Sequence, residues 1–410
     1  MKIKKKWPKQ IWAKCLLYFL VLIIVLSGAF ISGYTTGKKG IDLNIPFVPA
    51  SVVNTDTGKP ANVDFSTFWD AWNKLNQDSV DTINPQNLVY GAISGMLNSL
   101  NDPYTVYFTP EENKKFQEDM SGQFEGIGVE VTEVNNSLTI VAPLPDSPAE
   151  KAGIKAKDVI ISVDGQNAFD LGFQGTIDKI RGTSGTDVTL VLSRPGQDQN
   201  ITIRVTREKI TVPSVTLEYK TLDGKKFAYV TIRQFGDDTN NLFDGIANDI
   251  LKNKPDGIVL DLRNNPGGYL DSAVDVASYF LDGGNVVSEV EKDNKKKDYK
   301  TIRRATLKDY PLAVMVNDGS ASAAEILAGA IKDRARGEII GTTTFGKGSV
   351  QILEELKDGS AIKVTIAKWL TPNGNTIDKV GIKPDLEIKA DTNASDDNIL
   401  SGALQYLLKK

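Results

Sequence analysis

The chain has 410 residues, of which 40% are hydrophobic and 24% charged, with a formal net charge of −4, one cysteine and no histidine. That length can bury more than one core, so two or three domains are expected, and the charge balance lacks the clustered basic surface that nucleic acid requires. Without histidine, the Ser-His-Asp triad, the Cys-His dyad and His- or Cys-based zinc sites are excluded, so nucleophilic chemistry would have to run on Ser, Thr, Lys or a carboxylate.

The N-terminus MKIKKKWPKQIWAK carries six lysines and precedes CLLYFLVLIIVLSGAFI, an uncharged apolar run. At about 1.5 Å per residue, the run and its flanks span most of a hydrocarbon core of roughly 30 Å. Trp12 and Tyr34 sit near its ends, and the lysine excess lies ahead of it. Residues 1–36 are therefore expected to form a basic cytoplasmic tail and an uncleaved single-pass anchor in the cell membrane, with the body extracytoplasmic. A cleaved signal peptide is the alternative. Cys15 opens the run and reads as membrane-facing filler. Residues 37–63 are polar and turn-rich, as a linker would be.

From Asp64 the pattern turns helical: Phe65, Phe68, Trp69 and Trp72 share one stripe, and Tyr90, Ile93, Leu97 and Leu100 form a second before the turn signal NDPYT. This N-terminal helical region is bounded at residues 64–120. Residues 121–207 change texture to short β-like runs (FEGIGVEV, SLTIVAP, DVIISVDG, DVTLVLSR, NITIRVTRE), with a short helix at SPAEKAGI. Arg181, in KIRGTSG, reads as an ordinary solvated arginine, with contact to a peptide or a neighbouring domain as the alternative. Residues 208–390 alternate apolar strands (FAYVTI, DGIVLDL, LAVMV, GEIIGT) with helices (LFDGIANDILK, DSAVDVASYFL, SAAEILAGAIKD), the signature of layered βα units. A C-terminal helix, ILSGALQYLL, closes residues 391–410.

Two strings carry candidate chemistry. NDGSASAAE places Ser320 and Ser322 in a small-residue turn after the strand LAVMV. Ser322 with Glu325 is also a capping-box pattern, which needs no catalysis. The helix N-terminus there would supply free N–H groups to an oxyanion. With no histidine, a hydroxyl needs a lysine as base, and a lysine of reference pKa about 10.4 must be kept dry and away from carboxylates to act near neutrality. Lys347 in FGKGSVQ has no charged sequence neighbour, and Gln351 follows four residues on as a neutral partner. GTTTFGKGS also approaches a Walker A loop, but Gly348 stands where the Ser/Thr is required and VQILEEL alternates like a strand.

GSASAAEILAGAIKDRARGEIIGTTTFGKGSVQ closely resembles the signature of the C-terminal processing peptidases, the tail-specific serine proteases of peptidase family S41. The resemblance implies Ser322 as nucleophile, with Ser320 the rival by local reading, Lys347 as general base and Gln351 as the residue positioning the lysine. It implies an oxyanion hole from a backbone N–H of the Gly267–Gly268 pair, with Gly268 preferred, and that of Ala323. FEGIGVEV and SPAEKAGIKAKDVIISVDGQ resemble a PDZ domain, whose amides at Gly126, Ile127, Gly128 and Val129 would receive a peptide carboxylate. The implied architecture is an α/β protease core of crotonase/ClpP-like layers with an inserted PDZ domain, an N-terminal helical region and one transmembrane helix. The implied activity is that of a serine endopeptidase cutting polypeptides near the C-terminus by which they are bound, with no cofactor or metal. Family analogy implies a homodimer formed through the N-terminal helices. Two other classes compete: a non-catalytic PDZ scaffold, and acyl-CoA chemistry on a crotonase-like core.

Overall fold

The computed structural model describes residues 26–28, 62–134, 137–391 and 396–410, and the chain divides into two units, Met1–Pro85 and Gln86–Lys410. In the first unit, helix α1 (Ser66–Asp78) carries the aromatic stripe, with the rings of Phe65, Phe68, Trp69 and Trp72 at centroid distances of 4.9–6.1 Å. Apart from residues 26–28, the expected anchor lies outside the described residues. Among the described residues no helix is long and apolar enough to cross a membrane.

The second unit opens one residue into α2 (Pro85–Asn98) and continues with the short strand β1 (Val106–Phe108) and α3 (Pro110–Ser121). A reciprocal capping box opens α3: Thr109 Oγ1 accepts from the Glu112 amide, and Glu112 Oε2 accepts from the Thr109 amide. Gly122, at φ +64, stops the helix in the left-handed conformation.

An antiparallel insert follows. It contains β2 (Gln123–Gly126), β3 (Val129–Val134), β4 (Ser137–Pro143), α4 (Pro148–Lys151), β5 (Val159–Val163), β6 (Gln166–Asn167), α5 (Ala168–Ile180), β7 (Asp187–Ser193), β8 (Ile201–Thr206) and β9 (Glu208–Thr211). Its sheet runs β3-β4-β5-β7-β8, and β2 pairs with β9 where the chain enters and leaves. Every second residue of β7, Val188, Leu190 and Leu192, is fully buried with Ile127, Ile140 and Val163, so the insert has a core of its own. Asp158, completely buried, takes two 2.7 Å bonds from the Arg194 guanidinium.

The remainder comprises β10 (Val215–Leu222), β11 (Lys225–Ile232), α6 (Thr239–Asn253), β12 (Gly257–Asp261), α7 (Leu270–Phe280), β13 (Asn285–Glu291), β14 (Lys296–Lys300), β15 (Leu312–Val316), α8 (Ala323–Asp333), β16 (Glu338–Gly341), β17 (Ser349–Glu355), β18 (Ala361–Leu370), β19 (Leu386–Glu387) and α9 (Asn398–Leu408). Its main sheet runs β10-β11-β12-β15-β16-β19, parallel from β11 onward. All five residues of both GIVLD and LAVMV are buried, as parallel strands covered on two faces must be. Phe243, Phe280 and Leu327 from α6, α7 and α8 fill one face. Leu404 and Leu407 of α9 pack on the other, with Val259, Ala313, Met315 and Ile340. A second sheet, β1-β18-β13-β14 with β17 also paired to β18, stands beside it. The sequence reading did not single out this second sheet. The carboxyl ends of β12 and β15 open where the two sheets meet, the usual place for a site in such folds.

Candidate active site

Ser322 sits between β15 and α8 at φ +54, ψ −117, a backbone that an L-residue adopts only under constraint, at a cost of about 1–3 kcal/mol. The constraint is visible. Gly267, at φ +105, passes so close that a Cβ there would lie 2.7 Å from the Ser322 Cβ and 2.9 Å from the Ala321 carbonyl oxygen. Ser320 is occupied elsewhere: fully buried, it donates to the Leu262 carbonyl at 2.7 Å and accepts from the Asn317 amide at 3.0 Å. Ser322, by contrast, lines a cavity.

That cavity, of about 770 Å3, is lined by Ser322, Ala323, Gly267, Gly268, Lys347 and Gln351, the six residues the sequence reading assigned to catalysis or its glycine pair. The Gly268 amide makes no hydrogen bond with another described residue. Instead its neighbours bridge to Phe235, with the Gly267 carbonyl accepting from the Phe235 amide and the Tyr269 amide donating to the Phe235 carbonyl, each at 2.8 Å. The Ala323 amide is the first of α8 and has no carbonyl one turn behind it. Both are donors without an internal acceptor on one cavity wall.

Lys347 reaches the cavity from the loop between β16 and β17. This loop is pinned by one buried carboxylate. Glu325 accepts from the Thr344 hydroxyl at 2.6 Å, the Gly346 amide at 2.7 Å and the amides of Lys347 and Ser322 at 2.9 Å each. The capping-box reading anticipated only the last of these bonds. It also missed that the carboxylate links the two halves of the motif.

The expectation that Lys347 lies away from carboxylates needs correction. Burial, then the charge of Lys363, push its amine below the ordinary lysine range, while Glu325 and Asp102 oppose that shift without reversing it. Asp102 and Tyr104 come from the NDPYT segment, read only as a turn, and the Lys347 ammonium stands 5.1 Å from the Tyr104 ring centroid. No hydrogen bond joins Lys347 to Ser322. Nor does Gln351 bond Lys347: its side-chain amide donates to Ser349 Oγ at 2.8 Å and Thr365 Oγ1 at 3.2 Å. The resemblance to Walker A also ends here, because the loop runs into strand β17 and not into a helix.

In the insert, the Gly126–Val129 segment joins β2 to β3. Its Ile127 and Gly128 amides make no hydrogen bond with other described residues, while the carbonyls of both are used, by Ala149 and Leu144. Gly128, at φ +74, could not carry a side chain, because a Cβ would fall 2.6 Å from that of Ser147. Arg181 is not simply solvated: its guanidinium lies 4.9 Å from the Phe124 ring centroid and 3.8 Å from Asp119.

Family models match three stretches: peptidase family S41 over residues 226–388, a PDZ domain over 139–194, and the N-terminal domain of the activating protease CtpB over 48–112. The chain is 34% identical over 374 residues to the carboxy-terminal processing protease CtpB of Bacillus subtilis, covering 90% of this chain and 78% of that protein. This chain belongs to the carboxy-terminal processing proteases of peptidase family S41. CtpA of the same organism is 36% identical over 92% of this chain and 77% of its own length. A probable CtpA-like serine protease of Staphylococcus haemolyticus is 43% identical over 78% of this chain, which spans 63% of that relative. Among solved structures, the photosystem II D1 C-terminal processing protease is 32% identical, with a TM-score of 0.50, over 83% of this chain and 91% of the other. A putative S41 protease from Bacteroides fragilis shares the fold at 16% identity, with a TM-score of 0.57, over 83% of this chain and 97% of the other. The S41 member described here is thus a serine-type peptidase with a PDZ domain and an N-terminal helical region, acting on polypeptides.

Proposed function

We propose that this peptidase is a membrane-anchored, extracytoplasmic endopeptidase that cuts polypeptides near their C-terminus with a Ser322/Lys347 dyad. The observation that carries the reading is the single cavity in which Ser322, Lys347 and the unbonded amide of Gly268 converge. The amine of Lys347, on moving from the Tyr104 ring to the Ser322 hydroxyl, takes its proton as Oγ attacks the scissile carbonyl. The developing oxyanion is received by the Gly268 and Ala323 amides, each such donor being typically worth about 3 kcal/mol. Collapse expels the amine product, which regains the proton from Lys347 and leaves an acyl-enzyme. Water, deprotonated by Lys347, then releases the carboxylate and frees Ser322. Gln351 is the group that would orient the lysine once the amine approaches Ser322.

Residues 121–207 form the module that captures a chain end at Gly126, Ile127, Gly128 and Val129, and residues 208–390 form the protease core. Residues 1–36 supply the tail and anchor, 37–63 the linker, 64–120 the helical region through which two copies pair, and 391–410 the closing helix. Ser322→Ala and Lys347→Ala should each abolish cleavage while the protein stays folded. Mass spectrometry of peptides released by the parent and by Ser322→Ala would identify the substrates. Normal turnover by Lys347→Ala would refute the dyad.

A further inference from the structure

Lys363 lies on β18, in register with Val106 of β1 on one side and Leu353 of β17 on the other. Its side chain lines the same cavity as Ser322 and Lys347. The ammonium stands 5.4 Å from the Phe108 ring centroid and 5.8 Å from that of Phe116, two rings stacked 5.3 Å apart. Among the described residues it has no ion-pair or hydrogen-bond partner. A partly buried, unpaired cation is costly, and two ring faces offset only about 0.5–2 kcal/mol each. The lining of that cavity includes the apolar Phe116, Ile352 and Leu353 as well as Gln117 and Asp119.

The surroundings of Lys347 give the charge a purpose. From the segment before β1 it faces Asp102 and Tyr104, and from α8 it faces Glu325. Next to it in the chain, Gly348 packs on Asp378, whose carboxylate is 4.0 Å from Lys368. Asp119 of α3 also lines the cavity but pairs with Arg181. Asp102 and Glu325 favour an ammonium at Lys347, the form that cannot accept a proton, and work against the burial of the amine.

We propose that Lys363 is a positioning residue for the reaction: its positive charge, held beside the Phe108 and Phe116 rings in the cavity that Lys347 also lines, keeps the Lys347 amine in its proton-accepting form against Asp102 and Glu325. This rests on the reading of Lys347 as general base. Burial pushes both amines below the ordinary lysine range, and for Lys347 the charge of Lys363 is the next cause after burial. Two amines in one half-dry cavity do not both hold a proton cheaply, and Lys363 has two ring faces beside it where Lys347 has the single face of Tyr104.

The test is the pH dependence of kcat/KM for the full chain on an internally quenched peptide with an apolar tail. Lys363→Met and Lys363→Gln should move the ascending limb to higher pH, lowering kcat/KM at pH 7 roughly tenfold while the alkaline plateau is largely kept. Lys363→Arg, which retains the charge, should leave the limb in place. An unmoved limb in both neutral variants overturns the proposal. So does a defect confined to KM that disappears with a C-terminally amidated peptide, which would make Lys363 an anchor for the substrate carboxylate. Lys347→Ala, assayed in parallel, separates the two levels. Retained turnover there removes the dyad and this inference together, whereas lost turnover with an unmoved limb removes this inference alone.

Discussion

Glu325 and Lys347 are joined by a 2.9 Å hydrogen bond from the backbone amide of one to the carboxylate of the other, and the same oxygen accepts the Ser322 amide. One buried acid thus sets the spacing between candidate nucleophile and candidate base. Glu325→Gln would present an amide N–H2 to groups that are themselves donors, at a stability cost of about 1–3 kcal/mol. Activity is expected to fall by more than about a hundredfold as the Lys347 loop loosens. Removing the anion also removes an influence that favours the charged lysine, so the acid limb of any residual activity should move to lower pH, opposite in sign to Lys363→Met. Residual activity with its limb displaced upward would contradict this electrostatic reading.

Gly267→Ala tests the close approach at the turn. The new methyl would meet the Ser322 Cβ and the Ala321 carbonyl below van der Waals contact, on a backbone at φ +105 that alanine disfavours. The expected result is a folded protein, destabilised by about 1–3 kcal/mol, whose kcat is lowered far more than its KM is raised. Parent-like kcat would mean that the loop can shift without consequence.

The insert can be probed through Asp158. Burial pushes its carboxyl up, but the Arg194 guanidinium and the Lys155 amide outweigh burial and hold it below the ordinary carboxylate range. A depressed folded-state pKa contributes stability above the unfolded value of about 3.9, and this stability is lost as pH falls through the folded value. Strands β5 and β7 should therefore lose hydrogen-exchange protection only in acid. Asp158→Ala, which strands Arg194, should cost about 3–5 kcal/mol at neutral pH and flatten the acid dependence. An unchanged acid profile in that variant would assign the dependence to other carboxylates.

The C-terminal helix is fastened to the sheet by Arg263, which donates to Asp261 and to Asp397, the residue that caps α9, with a shortest bond of 2.7 Å to each. Asp261 is buried and also accepts from the Tyr229 hydroxyl, whose pKa is pushed up to about 12 by burial and then by that carboxylate. Arg263→Ala leaves an unpaired acid under the helix, so a loss of about 3–5 kcal/mol is expected. Faster proteolysis or hydrogen exchange confined to residues 398–408 would report it, and uniform exchange across the core would not fit.

Much of this arrangement could be read from the chain. GIVLD and LAVMV read as apolar strand candidates, and the helices alternating with them pointed to layered βα units. Ser322 stood out because its neighbours are small, and Lys347 because histidine is missing. Other features had no local signature. AIKVTIAKWL spaces its charges as a solvated strand would, so Lys363 could not be distinguished from any surface lysine. Asp102 and Tyr104 reach Lys347 only through the pairing of β1 with β18, a contact between distant parts of the chain. Glu325 satisfied a local capping rule and so hid its longer-range bonds.

A buried amine in a chain free of imidazole also gives an unusually quiet titration background. Between about pH 5.5 and 8.5 no unperturbed side chain of this protein changes charge, leaving the terminal amino group, Cys15 and whatever the cavity has displaced into that window. Proton uptake or release measured calorimetrically as an inhibitor occupies the cavity, compared across buffers of different ionisation enthalpy, would therefore count protons at the lysines with little else to subtract.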